Sequence, residues 1–290
     1  MPAWSAVAAE RPRIALAATL HDATGVLVHD VRRLLPRLQA IFANVAVATS
    51  PPTAARVVKV LRDAGVHAGS PTANLRGPLY RLSLRQALAS EDVERVHYLD
   101  FDRALHWVER TPRELRSVIR AGSRSPALLI GRTIRAHLSH HRPLHATEGV
   151  VNRLLAAQLG LAGRVDFLVP AFVVSRDTAK RLLARSRARD VGIYGEWAAL
   201  LPGLENTMTY VECRGLDWET PDRHRRAVRR LGLAEWRRRQ ETAAEWSLRT
   251  DVAADIVRGF TRALARWPVK HCTLVRSADA EKVASRGGLG

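Results

Sequence analysis

Residues 95–102 read RVHYLDFD and run directly into RALHWVER at 103–110. A short apolar run that ends in carboxylates and then takes up helical spacing is a buried strand handing over to a helix. Asp100 and Asp102 then stand at the strand's carboxyl end. There they serve either as ligand groups or as capping carboxylates for the helix that follows. The two roles are compatible, and the surrounding chain decides between them.

Working outward, the same alternation repeats. RIALAATL (13–20) reads as a buried strand entering the polar turn HDATG, and a helix follows with apolar Val31, Leu34, Leu35, Leu38 and Ile41 at three- and four-residue spacing. VAVATSPPT (45–53) is a strand stopped by Ser50 and two prolines, TAARVVKVLRDAG (53–65) a helix closed by Gly65, and VHAGSPT (66–72) a third strand. LYRLSLRQALAS (79–90) is a helix, after which the chain reaches RVHYLDFD.

Beyond it come a helix after Thr111-Pro112, a strand PALLIGRT (126–133), a polar stretch SHHRPLHATEG (139–149) and a helix around 149–159. FLVPAFVVS (167–175) is a strand, RDTAKRLLARSRA (176–188) a helix, and MTYVECRGLDW (208–218) a late strand or hairpin. Two helices close the pattern, roughly 222–247 and 251–266. The expected fold class is α/β, a mostly parallel sheet flanked by helices with a helical C-terminal extension. The expected organisation is a flexible tail (1–12), a main α/β domain (13–215), the extension packed on it (216–276) and a second flexible tail (277–290).

Composition bounds the function. Hydrophobic residues make up 47% and charged residues 26% of the 290, as in ordinary globular proteins. No stretch approaches the roughly 18 apolar residues of a membrane span. The N-terminal MPAWSAVAAERPR lacks the basic start and long apolar run of a secretion signal, so a cytoplasmic protein is expected, with peripheral membrane contact as an option. Cys213 and Cys272 are too few and too far apart for a disulfide framework. The net charge of +18 attracts anions: phosphorylated small molecules, nucleic acid or an acidic membrane. Its densest run, DRHRRAVRRLGLAEWRRRQ (222–240), is a solvated helix face, an anionic-lipid or acceptor contact, or a nucleic-acid contact. No finger, RNP-type aromatic pair or heptad accompanies it, so no dedicated nucleic-acid reader is expected.

In open parallel sheets the ligand sits beyond the carboxyl ends of the strands. Three polar groups fall at such ends: Thr19, His21 and Asp22; Thr49 and Ser50; Asp100 and Asp102. Two neighbouring carboxylates repel unless a cation or several donors compensate. Were the strand to continue, Asp100 and Asp102 would point to one face. A hard divalent ion, Mn²⁺ or Mg²⁺, is their natural partner, and such ions take oxygens from a diphosphate.

With these pieces in order, the chain resembles the GT-A-fold glycosyltransferases of the nucleotide-diphospho-sugar transferase superfamily. VHYLDFDRALHW resembles their D-x-D strand and GPLYRLSLRQAL the helix that passes near the nucleotide-sugar. PAFVVSRDTAKRLLA resembles a later strand–Ser-Arg–helix segment, and GIYGEWAALL the acidic segment that carries the base in inverting members. The resemblance covers roughly residues 13–213 and implies that the 13–215 domain is the nucleotide-sugar-binding and catalytic one. It implies a GT-A-like sheet with a Rossmann-like nucleotide-binding half, and an enzyme that moves a sugar from a nucleotide-diphosphate donor to an unidentified acceptor, for which an anionic molecule is one option.

Carried over by position, Asp102 binds the metal, and Asp100 the metal or the ribose. Thr19, His21, Asp22 and Ser50 line the base and ribose pocket. Gly77, Arg81 and Arg85 lie near the sugar diphosphate, where an arginine fork matches phosphate oxygens. Glu196 is the general base, with Glu148, Asp217 and Glu219 as rivals. His224 and His271 are the candidates for a third metal ligand. The turn LHDATG lacks the glycine-rich phosphate loop of sugar-phosphate nucleotidyltransferases, which leaves that activity as an alternative, beside a non-catalytic basic protein.

Two smaller features have bland and sharp readings. On a helix His137 and His141 would share a face and could hold zinc, but Pro143 follows and no acidic or cysteine ligand is near. A mobile loop at the acceptor entrance is the better reading. Trp197 and Trp218 are core residues or platforms for a sugar ring.

Overall fold

The computed structural model describes residues 13–269 and 271–277. Eight strands form one sheet: β1 (Ile14–Leu20), β2 (Asn44–Thr49), β3 (His67–Gly69), β4 (Arg95–Asp100), β5 (Ala127–Arg132), β6 (Ala171–Ser175), β7 (Thr207–Cys213) and β8 (Thr273–Arg276). Their order across the sheet is β3-β2-β1-β4-β6-β5-β7-β8. Only β6 runs against its neighbours; every other pairing is parallel. This is the mostly parallel, helix-flanked α/β sheet expected from the sequence.

Period-two alternation in β1 builds the two faces. Ile14, Leu16, Ala18 and Leu20 enter one core, together with Val31, Leu34, Leu35 and Leu38 of α1 (Val28–Gln39) and Val57 and Leu61 of α2 (Ala55–Asp63). Helices α4 (Phe101–Arg110) and α5 (Pro112–Arg124) cover the same face through Trp107, Leu115 and Ile119. Ala15 and Ala17 look the other way and let α3 (Arg76–Ala87) come close. That second core is completed by α7 (Arg142–Gln158), α8 (Arg176–Arg185), α9 (Ile193–Leu204) and α13 (Ala243–Arg266). The short α6 (Ile134–Ser139) precedes α7.

Four features differ from the sequence reading. The stretch 139–149 is not a loop: α7 starts at Arg142, and His140 and His141 are buried. The basic run 222–240 is not one helix but the end of α10 (Thr220–Arg223), α11 (Arg225–Leu231) and α12 (Leu233–Arg239), broken at Gly232 where φ is +78°. The segment after α13 returns as β8 to pair with β7, so the C-terminal region is not wholly helical. Its helix α13 is also built into the core rather than laid on it, through Ile256, Phe260 and Ala263. There the backbones of α9 and α13 nearly touch: a Cβ on Gly195 would stand 1.9 Å from the Ile256 carbonyl, and one on Gly259 2.0 Å from that of Gly192. The tails expected at 1–12 and 277–290 lie, Ser277 apart, outside the described residues. Among the described residues no helix is long and apolar enough to cross a membrane.

Candidate functional site

β1 and β4 are parallel neighbours, with Thr19 directly opposite Asp100. The chain leaves β1 towards β2 and β3 on one side, and β4 has β6 on its other side. In open α/β sheets such a divergence is where a ligand crevice forms, at the carboxyl ends of the two strands. Thr19 Oγ1 donates to Asp100 Oδ1 at 2.8 Å, and the hydroxyls of Tyr80 and Tyr98 reach the same oxygen at 3.1 and 3.4 Å. Burial raises the Asp100 carboxyl above its ordinary range, while Arg103 pulls the other way. Tyr80 is hydrogen-bonded to the Tyr194 hydroxyl, which accepts from Arg76 Nη1 at 3.3 Å. On the β2 side, His21 Nδ1 and Ser50 Oγ are 2.7 Å apart, and Ser50 meets Thr53 at 3.0 Å.

The strand does not persist to Asp102. It ends at Asp100, and Asp102 lies in the first turn of α4. The same-face argument of a strand therefore does not apply. Asp100 occupies the N-cap position without a side-chain capping bond. Asp102 Oδ1 accepts from the amide of Arg103 at 3.0 Å, and its Oδ2 from Arg223 Nη2 at 2.7 Å. Arg223 also donates through Nη1 to the His21 carbonyl at 2.8 Å, joining α10 to the ends of β1 and β4.

Behind this pair lies a loosely satisfied cluster. Arg103 Nε stands 3.9 Å from Asp100 Oδ2 and 3.8 Å from Glu219 Oε2, and His140 Nε2 is 3.9 Å from that same Glu219 oxygen. The two Arg103 approaches are charge contacts rather than hydrogen bonds, and the His140 approach is a charge contact only when the imidazole is protonated. Arg103 Nη1, His140 Nε2 and Glu219 Oε2 are all buried without a hydrogen-bond partner. Burial raises the Glu219 carboxyl, against the pull of Arg103, and burial holds His140 well below the usual imidazole range.

Other residues singled out in the sequence sit elsewhere. Asp22 is buried, and its carboxylate accepts from the amides of Val26 at 3.1 Å and Leu27 at 2.9 Å, fixing the turn into α1. Gly77 packs on the backbone at 188–189: its amide donates to the Arg189 carbonyl at 3.0 Å, and a Cβ there would stand 1.9 Å from the Ala188 carbonyl. Arg81 donates to that Ala188 carbonyl at 2.6 Å, and Arg85 is exposed further along α3. Beside Asp100 on this helix stand Tyr80 and Arg76 instead. They are four apart and share a face, and the turn carrying Arg81 and Arg85 is rotated away.

Glu196 is buried in α9. Ser186 Oγ donates to it at 2.5 Å, and the amides of Arg187 and Ala188 at 2.6 and 3.0 Å. Both oxygens brace the 186–188 turn, an arrangement that gives the general-base reading no support. Among its rivals, Glu148 pairs with Arg132 at 2.6 Å and Asp217 with His106 at 2.8 Å. Only Glu219 keeps an unpartnered oxygen at the Asp100–Asp102 edge.

Trp197 is enclosed by Tyr80, Tyr98 and Phe172 and is a core residue. Trp218 is buried between His141 and Trp236. His137 bonds the His145 carbonyl at 3.0 Å and His141 bonds Glu245 at 2.8 Å, so the two share no ligand geometry. His224 packs against Trp236 with the rings tilted, and His271 precedes β8 at the outer edge of the sheet, away from β1 and β4.

The expected Mn²⁺ or Mg²⁺ can be tested against these donors. Among the described residues no three His, Cys, Asp or Glu side chains converge to hold a metal ion. Asp102 already has Arg223 as its counter-charge and Asp100 has Arg103. In this arrangement the carboxylates do not fit a divalent ion. Arg76, Tyr80, Arg103 and Arg223 were not singled out in the sequence. For the first two, their i, i+4 spacing flanking Gly77 is a usable signal; for Arg223 no local signal exists.

No family model matches the chain, and neither does any curated protein. Solved structures do. The Mycobacterium tuberculosis glucosyl-3-phosphoglycerate synthase with Mg²⁺ and uridine diphosphate matches at 15% identity and a TM-score of 0.45, over 69% of this chain and 68% of that one. The same enzyme with Mn²⁺, uridine diphosphate and phosphoglyceric acid matches at 18% identity and a TM-score of 0.42, over 68% and 67%. Its complex with Mn²⁺, UDP-glucose and phosphoglyceric acid matches at 17% identity and a TM-score of 0.40, over 77% and 67%. With TM-scores below 0.5, the reading of this site rests on its own geometry.

Proposed function

We propose that the protein is a glycosyltransferase that binds a nucleotide-diphosphate sugar at the β1–β4 crevice and passes the sugar to a separate acceptor. The observation that carries this reading is the convergence of Thr19, His21, Ser50, Asp100 and Asp102 at the carboxyl ends of β1, β2 and β4, where the sheet's connections diverge. His21 and Ser50 line the nucleoside side. Asp100, held by three hydroxyls, sets the ribose and diphosphate against β4.

Glu219 is the better-placed general base. Its carboxyl is buried, raised in proton affinity and unpartnered at one oxygen, the properties a base near neutrality requires. It would take the proton of an acceptor hydroxyl as that oxygen attacks the anomeric carbon and the nucleoside diphosphate departs. The surplus of arginine favours an anionic acceptor.

The test is a thermal-shift panel of UDP, GDP, ADP, CDP and dTDP, with and without Mn²⁺, on the wild type and Asp100→Ala. A ligand at about 100 times its dissociation constant adds about 2.7 kcal/mol of stability, which amounts to several degrees in a chain of this size. One diphosphate should raise the wild-type melting temperature and leave the variant's unchanged. If none of the five shifts the wild type under either condition, the donor site is not here.

A further inference from the structure

Arg223 bridges the carboxyl ends of β1 and β4. It closes α10, yet its two terminal nitrogens reach the ends of the two strands that frame the site: Asp102 after β4 at 2.7 Å and the His21 carbonyl after β1 at 2.8 Å. The pair is well shielded, with 19% of the Arg223 side chain and 23% of the Asp102 side chain exposed. A charge-assisted bond in such surroundings is stronger than a surface ion pair. Arg103 stands behind it, between Asp100 and Glu219, with a buried Nη1 that bonds nothing.

A divalent ion bridging Asp100 and Asp102 would have to displace Arg223 from its carboxylate. The displaced guanidinium would remain a few ångströms from two new positive charges, with little water to screen them. The guanidinium already performs the ion's electrostatic task. It carries five N–H donors in a planar fork, two of which bond Asp102 and the His21 carbonyl. The rest suit phosphate oxygens.

We propose that in this chain Arg223, backed by Arg103, stands in the place of the divalent cation, holding Asp102 and turning its remaining N–H groups to the diphosphate, so that diphosphate binding at this edge requires no metal ion. This rests on the donor-site reading above and specifies what neutralises the ligand there.

Two measurements on the full chain test it. The first is a Mn²⁺ titration read by the electron-spin-resonance signal of the free ion, on the wild type and Asp102→Asn. Equal, weak depletion of the signal in both is expected; a Mn²⁺ site present in the wild type and lost in Asp102→Asn overturns the proposal. The second is calorimetry with inorganic pyrophosphate, in EDTA and then with Mn²⁺, on the wild type, Arg223→Gln and Arg223→Lys. In EDTA the wild type should bind, with Arg223→Gln weaker by at least about tenfold, as for loss of one partner in a shielded charge pair. Arg223→Lys keeps the charge without the fork and should fall between them, and it serves alone if Arg223→Gln does not fold. Binding that appears only with Mn²⁺, or that ignores both substitutions, overturns the proposal while leaving the donor site standing. Pyrophosphate that binds under neither condition overturns the donor site as well.

Discussion

Two carboxylate–arginine clusters lie along the same edge of the sheet and are finished very differently. At the end of β5, Arg132 is fully buried. Its Nε and Nη2 grip Asp166 in a fork at 2.7 and 2.9 Å, and Nη2 also meets Glu148 at 2.6 Å. Asn152 and the Arg132 amide complete the Asp166 shell at 2.8 and 3.1 Å. At the end of β4, by contrast, Arg103 touches Asp100 and Glu219 only at 3.8–3.9 Å and leaves polar atoms unbonded. The β5 cluster is the more closely bonded of the two, with only Arg132 Nη1 left without a hydrogen-bond partner, and it specifies structure; the loosely bonded β4 cluster is costly to keep unless something else completes it. The contrast separates scaffold from site more sharply than the presence of aspartate in either.

The largest expected effect tests the closed side. Asp166→Asn strands the buried Arg132 charge and should destabilise the fold by about 3–5 kcal/mol in urea unfolding. Burial works against the Asp166 carboxylate, but Arg132 holds it far below the ordinary range. Its contribution is therefore complete above about pH 4 and fades as pH falls below that. The gap between wild type and Asp166→Asn should narrow in acid, and a gap independent of pH would mean that the pair is not the source.

Next in size is the latch between α4 and the C-terminal region. His106 lies between Asp217 at 2.8 Å and Asp222 at 2.6 Å; burial opposes its charge, yet the two carboxylates push its pKa up to about 9. A raised imidazole stabilises fully below about pH 6.5, and that stability is lost as pH rises through about 9. The loss is on the order of 3 kcal/mol, and His106→Gln should show a flat profile across the same interval. Parallel profiles for the two proteins would remove His106 from the latch.

The smallest stability effect belongs to the open side. Asp100→Asn should change folding stability by less than about 1 kcal/mol near neutrality while weakening pyrophosphate binding. The sign of its pH dependence is the reverse of that of Asp166. Burial raises the Asp100 carboxyl, so its contribution is present at low pH and is lost as pH rises through the folded value. The neutral Asn variant should therefore gain on the wild type as pH rises. A loss of stability as large as that of Asp166→Asn would erase the distinction between the two clusters.

The strands β1 to β7, the helices α1 to α5 and α8 between them, and the position of Asp100 were legible because period-two and period-3.6 patterns report burial directly. The short α6 and the almost wholly apolar α9, which shows no polar face, were not read. Nor was β8: a four-residue edge strand carries no pattern long enough to read. The start of α7 hid behind His140, His141 and His145, whose burial depends on partners far along the chain such as Glu245. The true company of Asp100 and Asp102 escaped for the same reason. Arg223 lies 121 positions beyond Asp102, and nothing in the arginine-rich run around it marks which side chain turns inward. Glu196 shows the converse: an acidic residue in a suggestive segment whose carboxylate is bonded to backbone amides, which no local pattern announces.

The glycine contact between α9 and α13 bears on how the molecule comes into being. Chains emerge from synthesis N-terminal end first. Helix α9 is therefore complete while the helix that fits against Gly192 and Gly195 is still unmade. Until α13 arrives, that face has no tenant, and because bare backbone there accepts nothing bulkier than Gly259, few other segments could settle on it by mistake. The final assembly step is thus guarded by shape.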